Sequence, residues 1–244
     1  MTSPLFPGGV AVSGLQVYDG ETQGGHGGGS PHLHTVSSEG YVVTAGSGEV
    51  HTITTAGRAI HPLDPGEVVW FSPGTVHRLV NHGGLELVVV MQNAGLPEAG
   101  DAVLTFPSAV LDDPDAYAAA ATLPAEGTED ERAAAARGRR DLALRGYTEL
   151  LAALEERGPA ALTELHERAV RLVQPKVEHW QRLWSATVEA ETARTREALA
   201  RLADGMPGLM AEAAVRRGER HDGPRGFGMC GRLQTWEWPA PPLR

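Results

Sequence analysis

His32-Leu33-His34 sets two imidazoles at alternate positions of the chain. On a strand, side chains at i and i+2 leave the same face, so both rings can reach one ion. Glu39 follows five residues after His34 and adds a carboxylate to the pair. An isolated His-x-His is common on solvated surfaces, and it is the glutamate at this spacing that lifts the pair above that background. Farther on, Ser72-Pro73-Gly74-Thr75-Val76-His77-Arg78-Leu79-Val80-Asn81 reads as a Pro-Gly turn feeding a strand. Thr75, His77, Leu79 and Asn81 then share a face, and a third imidazole can point into the same interior.

Positioning these groups requires short strands and tight turns. Runs rich in Val, Ile, Thr and aromatics recur from Val10 to about Val110, separated by Gly, Pro, Ser and Asn. They predict strands at Gly14 to Tyr18, Pro31 to Thr35, Glu39 to Thr44, Glu49 to Thr54, Glu67 to Phe71, His77 to Asn81, Leu85 to Gln92 and Ala102 to Phe106. So many short strands in about a hundred residues indicate a sandwich or barrel.

Beyond Leu111 the pattern is helical. Asp113-Pro114 reads as an N-cap with proline at the first helical position, and Thr128 with Glu131 as a capping box. A long helix carrying Leu144, Tyr147, Leu151 and Leu154 on one stripe is expected to stop near Gly158. Pro159 opens a second helix with Leu162, Leu165, Ala169 and Leu172 inward. Pro175 ends or kinks it, and Val177, Trp180, Trp184 and Val188 continue a stripe toward Leu199 and Leu202. The helices are expected to be antiparallel. The tail from His221 to Arg244 holds one alternating segment, Leu233 to Trp238, that could be a strand.

Composition follows this division. Of 30 glycines, 19 fall in the first 110 residues, whereas alanine numbers 8 there and 26 in the remainder. Glycine serves turns and alanine helices. The net charge is −10, from 31 acids and 21 bases, the only lysine being Lys176. Such a balance argues against nucleic acid or anionic lipid as partner. The single cysteine, Cys230, excludes an internal disulfide and any multi-cysteine metal site, and no targeting or membrane-spanning segment is visible, so a cytoplasmic setting is expected.

The histidine and glutamate segments together resemble the two signature motifs of the cupin superfamily. In the first, G(x)5HxH(x)3-4E(x)6G, the matching residues are His32, His34, Glu39 and Gly46; in the second, G(x)5PxG(x)2H(x)3N, they are Gly66, Gly74, His77 and Asn81. His26 stands where the leading glycine is expected, and the proline is Pro73, one place late. The resemblance covers about the first 110 residues. It implies a double-stranded β-helix, or jelly-roll barrel, over 1–111, followed by a helical region at 112–220 and an irregular tail at 221–244.

The same resemblance implies that His32, His34, Glu39 and His77 hold one divalent transition metal: Fe, Mn, Ni, Zn or Cu. Four protein ligands in an octahedral shell leave two positions for water, substrate oxygens or O2. Glu39 is a candidate proton acceptor. Tyr41, Trp70, Met91 and Gln92 are candidate pocket residues, and Asn81 reads either as pocket support or as a strand-end residue. The expected activity is a metal-dependent enzyme on a small oxygen-rich molecule: dioxygenase-like with Fe, Ni or Cu, an isomerase or lyase with Zn or Mn. The alternative is a non-catalytic binding or sensor module. A homodimer is the family's default. Among the other histidines, His26, His51, His61, His82, His166 and His179 read as surface, while Trp180 and Trp184 read as core or interface anchors and Cys230 as a small filler.

Overall fold

The computed structural model describes residues 6–20 and 27–237; His26 and Trp238 lie outside these. Among the described residues eight strands precede the first helix: β1 (Ala11–Val17), β2 (Gly27–Gly28), β3 (His32–His34), β4 (Glu39–Thr54), β5 (Gly57–Leu63), β6 (Val68–Phe71), β7 (Val76–Met91) and β8 (Ala102–Leu104). Their pairings are all antiparallel.

β4 and β7 are the spine, paired with each other from Glu39↔Met91 to Ile53↔Val76. Each merges two of the expected strands. The intervening Ala45-Gly46-Ser47-Gly48 and His82-Gly83-Gly84 have the composition of turns, yet here they lie within continuous strands. The register shifts between Val43 and Gly48, and bulges bend both strands together instead of ending them. Gly46 has φ +71°, and a Cβ there would stand 2.2 Å from the Gly84 carbonyl. Only glycine permits this crossing. β5 is absent from the expected strands: its Arg58-Ala59-Ile60-His61-Pro62 is almost wholly exposed and pairs with β4 alone, an edge position that tolerates proline.

The helices are α1 (Ser108–Leu111), α2 (Pro114–Ala121), α3 (Glu129–Arg157), α4 (Ala160–Val173), α5 (Val177–Trp184) and α6 (Ala190–Ala203). Asp113 caps α2 by accepting from Asp115 N and Ala116 N, and Thr128 and Glu131 form the expected capping box on α3. α4 to α6 run on as one segmented helix. Pro175 makes a 3-10 turn at Gln174–Lys176, and a π turn at Ser185–Glu189 joins α5 to α6.

The buried stripe of α3 differs from the expected one. It consists of Ala136, Arg140, Ala143, Gly146, Tyr147 and Leu150, while Leu144, Leu151 and Leu154 are half-buried. Small residues win these positions because the helix lies almost in contact with the backbone after β8: a Cβ on Gly146 would be 2.2 Å from the Thr105 carbonyl oxygen. Thr105 Oγ1 donates to the Ala143 carbonyl at 3.0 Å across the same contact.

Two apolar clusters result. One fills the barrel with Leu15, Tyr41, Val43, Val50, Leu79, Leu87 and Cys230. The other joins sheet to helices, with Leu33, Ile53, Val76, Leu104 and Phe106 against Ala143, Tyr147, Leu162, Leu165, Ala169 and Trp180. Leu33 and Val76 alternate with His32, His34 and His77, so the helices cover the outer face of the strands whose inner face carries the imidazoles.

The tail contributes β9 (Glu219–Arg220), β10 (Gly226–Phe227), β11 (Gly231–Gln234) and β12 (Trp236–Glu237). β11 pairs with β1 from Gly14↔Gln234 to Val17↔Gly231, and β9 with β12 makes a separate ribbon. Among the described residues no helix is long and apolar enough to cross a membrane.

The two glycines within α3 predict opposite responses. Gly146→Ala drives a methyl into the backbone at Thr105 and Phe106 and is expected to lower stability by about 2–3 kcal/mol. Gly138→Ala meets open space and is expected to raise it by about 0.5–1 kcal/mol. Urea denaturation of both variants checks the pair of signs.

Candidate metal centre

β3 lies against β7 with His32 opposite His77, and β4 brings in Glu39 at its first residue. The ligand atoms of His32, His34, Glu39 and His77 lie within 4.8 Å of one another, and all four side chains are buried. Glu39 Oε2 is 3.2 Å from His34 Nε2 and 3.1 Å from His77 Nε2. His77 Nε2 is 3.1 Å from His32 Nε2. Neighbouring ligands at right angles, each about 2.1 Å from a common centre, stand about 3 Å apart. The observed separations have that size.

The far side of each ring explains why the near sides converge. His32 Nδ1 is 2.9 Å from the Ser30 carbonyl oxygen, and His77 Nδ1 is 3.1 Å from that of Thr75. A carbonyl only accepts, so both Nδ1 atoms carry the hydrogen and donate it; in the neutral ring each Nε2 is left with a bare lone pair. His34 Nδ1 faces Asp101 Oδ2 at 3.6 Å, within ion-pair range and beyond hydrogen-bond range. Each imidazole thus has an acceptor behind it and presents Nε2 to one point, the orientation of metal-ligating histidines.

The electrostatics of the four side chains suit a cation. Burial, then the neighbouring rings of His77 and His34, hold His32 well below the ordinary imidazole range. Burial alone would raise the Glu39 carboxyl, but the imidazoles of His77 and His34 outweigh it and keep its pKa well below the usual value. Burial also opposes charge on His34, yet Asp101 and Glu39 prevail and push it up to about 9. Glu39 Oε2 and the Tyr41 hydroxyl are buried without hydrogen-bond partners, a state that costs free energy unless something satisfies them. A divalent cation among three imidazole nitrogens and one carboxylate oxygen fits this donor set.

The other candidates separate by strand parity. Tyr41, two residues after Glu39 on the same face, is fully buried and packs edge-on to Phe71 at 5.5 Å between centroids. Met91 is buried directly opposite Glu39. Trp70 requires a correction: it pairs with Gly40, on the face opposite Glu39, and is 75% exposed. Gln92 is exposed, its side-chain oxygen accepting from Ser38 N at 3.3 Å. The Asn81 amide is spent on backbone, donating to Val17 O and accepting from Gly83 N and Leu85 N, so it pins the bend of β7 and the end of β1.

Three contributors escaped sequence reasoning. Phe71, opposite Glu39 on β6, lies 4.3 Å from the His77 ring; one step of parity from Trp70 would have found it. Asp101 lies far from the motif in sequence and carries no local signature. His166, read as surface, binds the Gly74 carbonyl through Nε2 at 2.8 Å. Cys230 is buried, with burial and the Glu39 charge pushing its thiol well up, so it is an inert filler near the site.

Without an ion, protonated His34 stabilises the fold fully below its unfolded pKa of about 6.5, and that contribution is lost as pH rises through about 9. A ligated His34 must give up that proton. Metal uptake at pH 7 is therefore expected to release close to one proton per ion, falling away above pH 9. Calorimetry in buffers of different ionisation enthalpy measures the count, and release that does not change with pH would contradict the assignment.

Residues 20–92 match the family model of the cupin domain. No curated protein matches the chain. Among solved structures, similarity extends to a conserved Klebsiella pneumoniae protein with a double-stranded β-helix domain, 19% identical over 38% of this chain and 76% of that one, TM-score 0.30. A predicted oxalate decarboxylase from Thermotoga maritima is 22% identical over 34% of this chain and 64% of its own, TM-score 0.26. A TDP-fucose-3,4-ketoisomerase from Campylobacter jejuni is 10% identical over 38% and 64%, TM-score 0.31. With both motif segments inside the matched residues and their four ligand-type side chains brought to one point, this chain carries a domain of the cupin superfamily.

Proposed function

We propose that the protein is a metal-dependent cupin enzyme acting on a small, oxygen-rich molecule. The observation that carries this reading is the convergence of His34 Nε2 and His77 Nε2 on Glu39 Oε2, with His32 Nε2 beside that of His77 and the rings of His32 and His77 held from behind by carbonyls. His32, His34, Glu39 and His77 would hold one divalent transition metal. Bound there, such an ion supplies Lewis acidity and, if it is Fe, Ni or Cu, redox chemistry with O2.

The protein's own residues shape what can approach. All four ligand side chains are buried, so only a small molecule would approach them. Phe71 and Met91 flank Glu39 on the neighbouring strands and keep that approach apolar. Burial, followed by the Glu39 charge, pushes the Tyr41 hydroxyl well above its ordinary value, so it keeps its proton and serves as a neutral donor to a substrate oxygen. Glu39 takes or returns a proton only in an arrangement where its carboxylate is partly freed, because the surrounding imidazoles make it a weak base. We place this chemistry in the cytoplasm and expect the chain to work as a homodimer.

Elemental analysis of tag-free protein is expected to find about one transition-metal ion per chain, and His34→Gln to lower its affinity by more than about 100-fold, beyond what loss of an outer-shell partner costs. Screening oxygen-rich small molecules with and without air then sorts the reaction. Turnover only in air identifies the dioxygenase form, turnover without O2 the isomerase or lyase form. Binding without turnover in the metal-loaded protein would replace the enzyme by a sensor.

A further inference from the structure

The segment between β7 and β8 ends at Asp101, whose side chain is completely buried. Asp101 Oδ1 accepts from Thr35 N at 2.7 Å, Val36 N at 2.9 Å and Thr35 Oγ1 at 2.8 Å. Its Oδ2 accepts from Ser37 N at 3.0 Å and faces His34 Nδ1 at 3.6 Å. One carboxylate therefore organises the turn that connects His34 to Glu39 and stands behind the His34 ring, where Ser30 and Thr75 place carbonyls behind the other two. Asp101 lies outside the residues 20–92 that match the family.

This segment is in turn held by the helical run. Lys176 Nζ donates to the Gly100 carbonyl at 3.1 Å, Trp180 Nε1 to the Ala99 carbonyl at 3.2 Å, and Trp184 Nε1 to Asn93 Oδ1 at 3.1 Å. The three donors recur every four residues, one stripe along α5 and the turn before it. Leu183 closes on Gly95, with side-chain atoms 3.1–3.5 Å from where a Cβ would be. A second grip comes from α4: His166 Nε2 is 2.8 Å from the Gly74 carbonyl, and Gly74 N donates to the His34 carbonyl at 2.8 Å.

We infer that the stripe Lys176, Trp180, Trp184 positions the metal centre, fixing the segment 93–101 so that Asp101 orients His34 and the turn leading to Glu39. Asp101 and Lys176 are positioning residues and touch neither substrate nor ion. The inference rests on the metal reading above, and the test separates the two.

Cobalt(II) is titrated into intact, ion-free wild type, Asp101→Asn, Lys176→Met and Lys176→Arg, reading visible absorption, chelator-competition affinity and the unfolding temperature of the ion-free protein. Wild type is expected to bind one cobalt. Asp101→Asn and Lys176→Met are expected to bind it about 10–100-fold more weakly, the loss typical of outer-shell partners, with an altered spectrum, and Lys176→Arg to recover both. Lys176 is half-buried, so Lys176→Met is expected to fold and keeps the test decisive if Asp101→Asn does not. Variants that lose thermal stability but keep wild-type cobalt affinity and spectrum would overturn the positioning role and leave the metal reading standing. A wild type that binds no cobalt would overturn both.

Discussion

Two imidazole nitrogens with free lone pairs repel at 3.1 Å, the distance between His32 Nε2 and His77 Nε2. The backbone enforces the approach, because the Ser30 and Thr75 carbonyls take the only ring hydrogens of the neutral tautomers. A third ring and a carboxylate oxygen crowd the same point. Such an arrangement is costly alone in a buried setting, and a single cation changes its sign. The rest of the fold can be understood as what keeps these four side chains from relaxing apart: β3 pinned between β7 and β8, β4 bent over Gly46, and an apolar layer behind each ligand strand.

Much of this was legible in local sequence because the signals are local. His32-Leu33-His34 needs only strand parity, the approach to His77 only a Pro-Gly turn, and the start of α3 only Thr128 and Glu131. Parity also explains the error at Trp70, since choosing the indole over Phe71 moves one residue and hence one face. The glycine-containing segments at 45–48 and 82–84 misled for another reason. Turn chemistry and bulge chemistry use the same residues, and only the partner strand decides between them.

The rest could not be read because it depends on distant partners. Asp101 is an ordinary acid at the end of a loop, and its significance comes from meeting residues 34–37. The buried face of α3 follows how close the helix lies to Thr105, which selects Ala143 and Gly146 over the larger Leu144 and Leu151. The split in composition has the same origin. Glycines build the sharp bends around the ligands, while Ala143 and Gly146 let α3 lie close against the chain at Thr105.

The pairing of β11 with β1 joins opposite ends of the described chain. During synthesis β1 emerges first, and its outer edge stays without a partner until Gly231–Gln234 has left the ribosome. An open strand edge next to apolar surface invites pairing with other chains, and contacts so distant in sequence form slowly. Closure of β11 onto β1, and with it burial of Cys230 beside the site, is therefore a late step of folding.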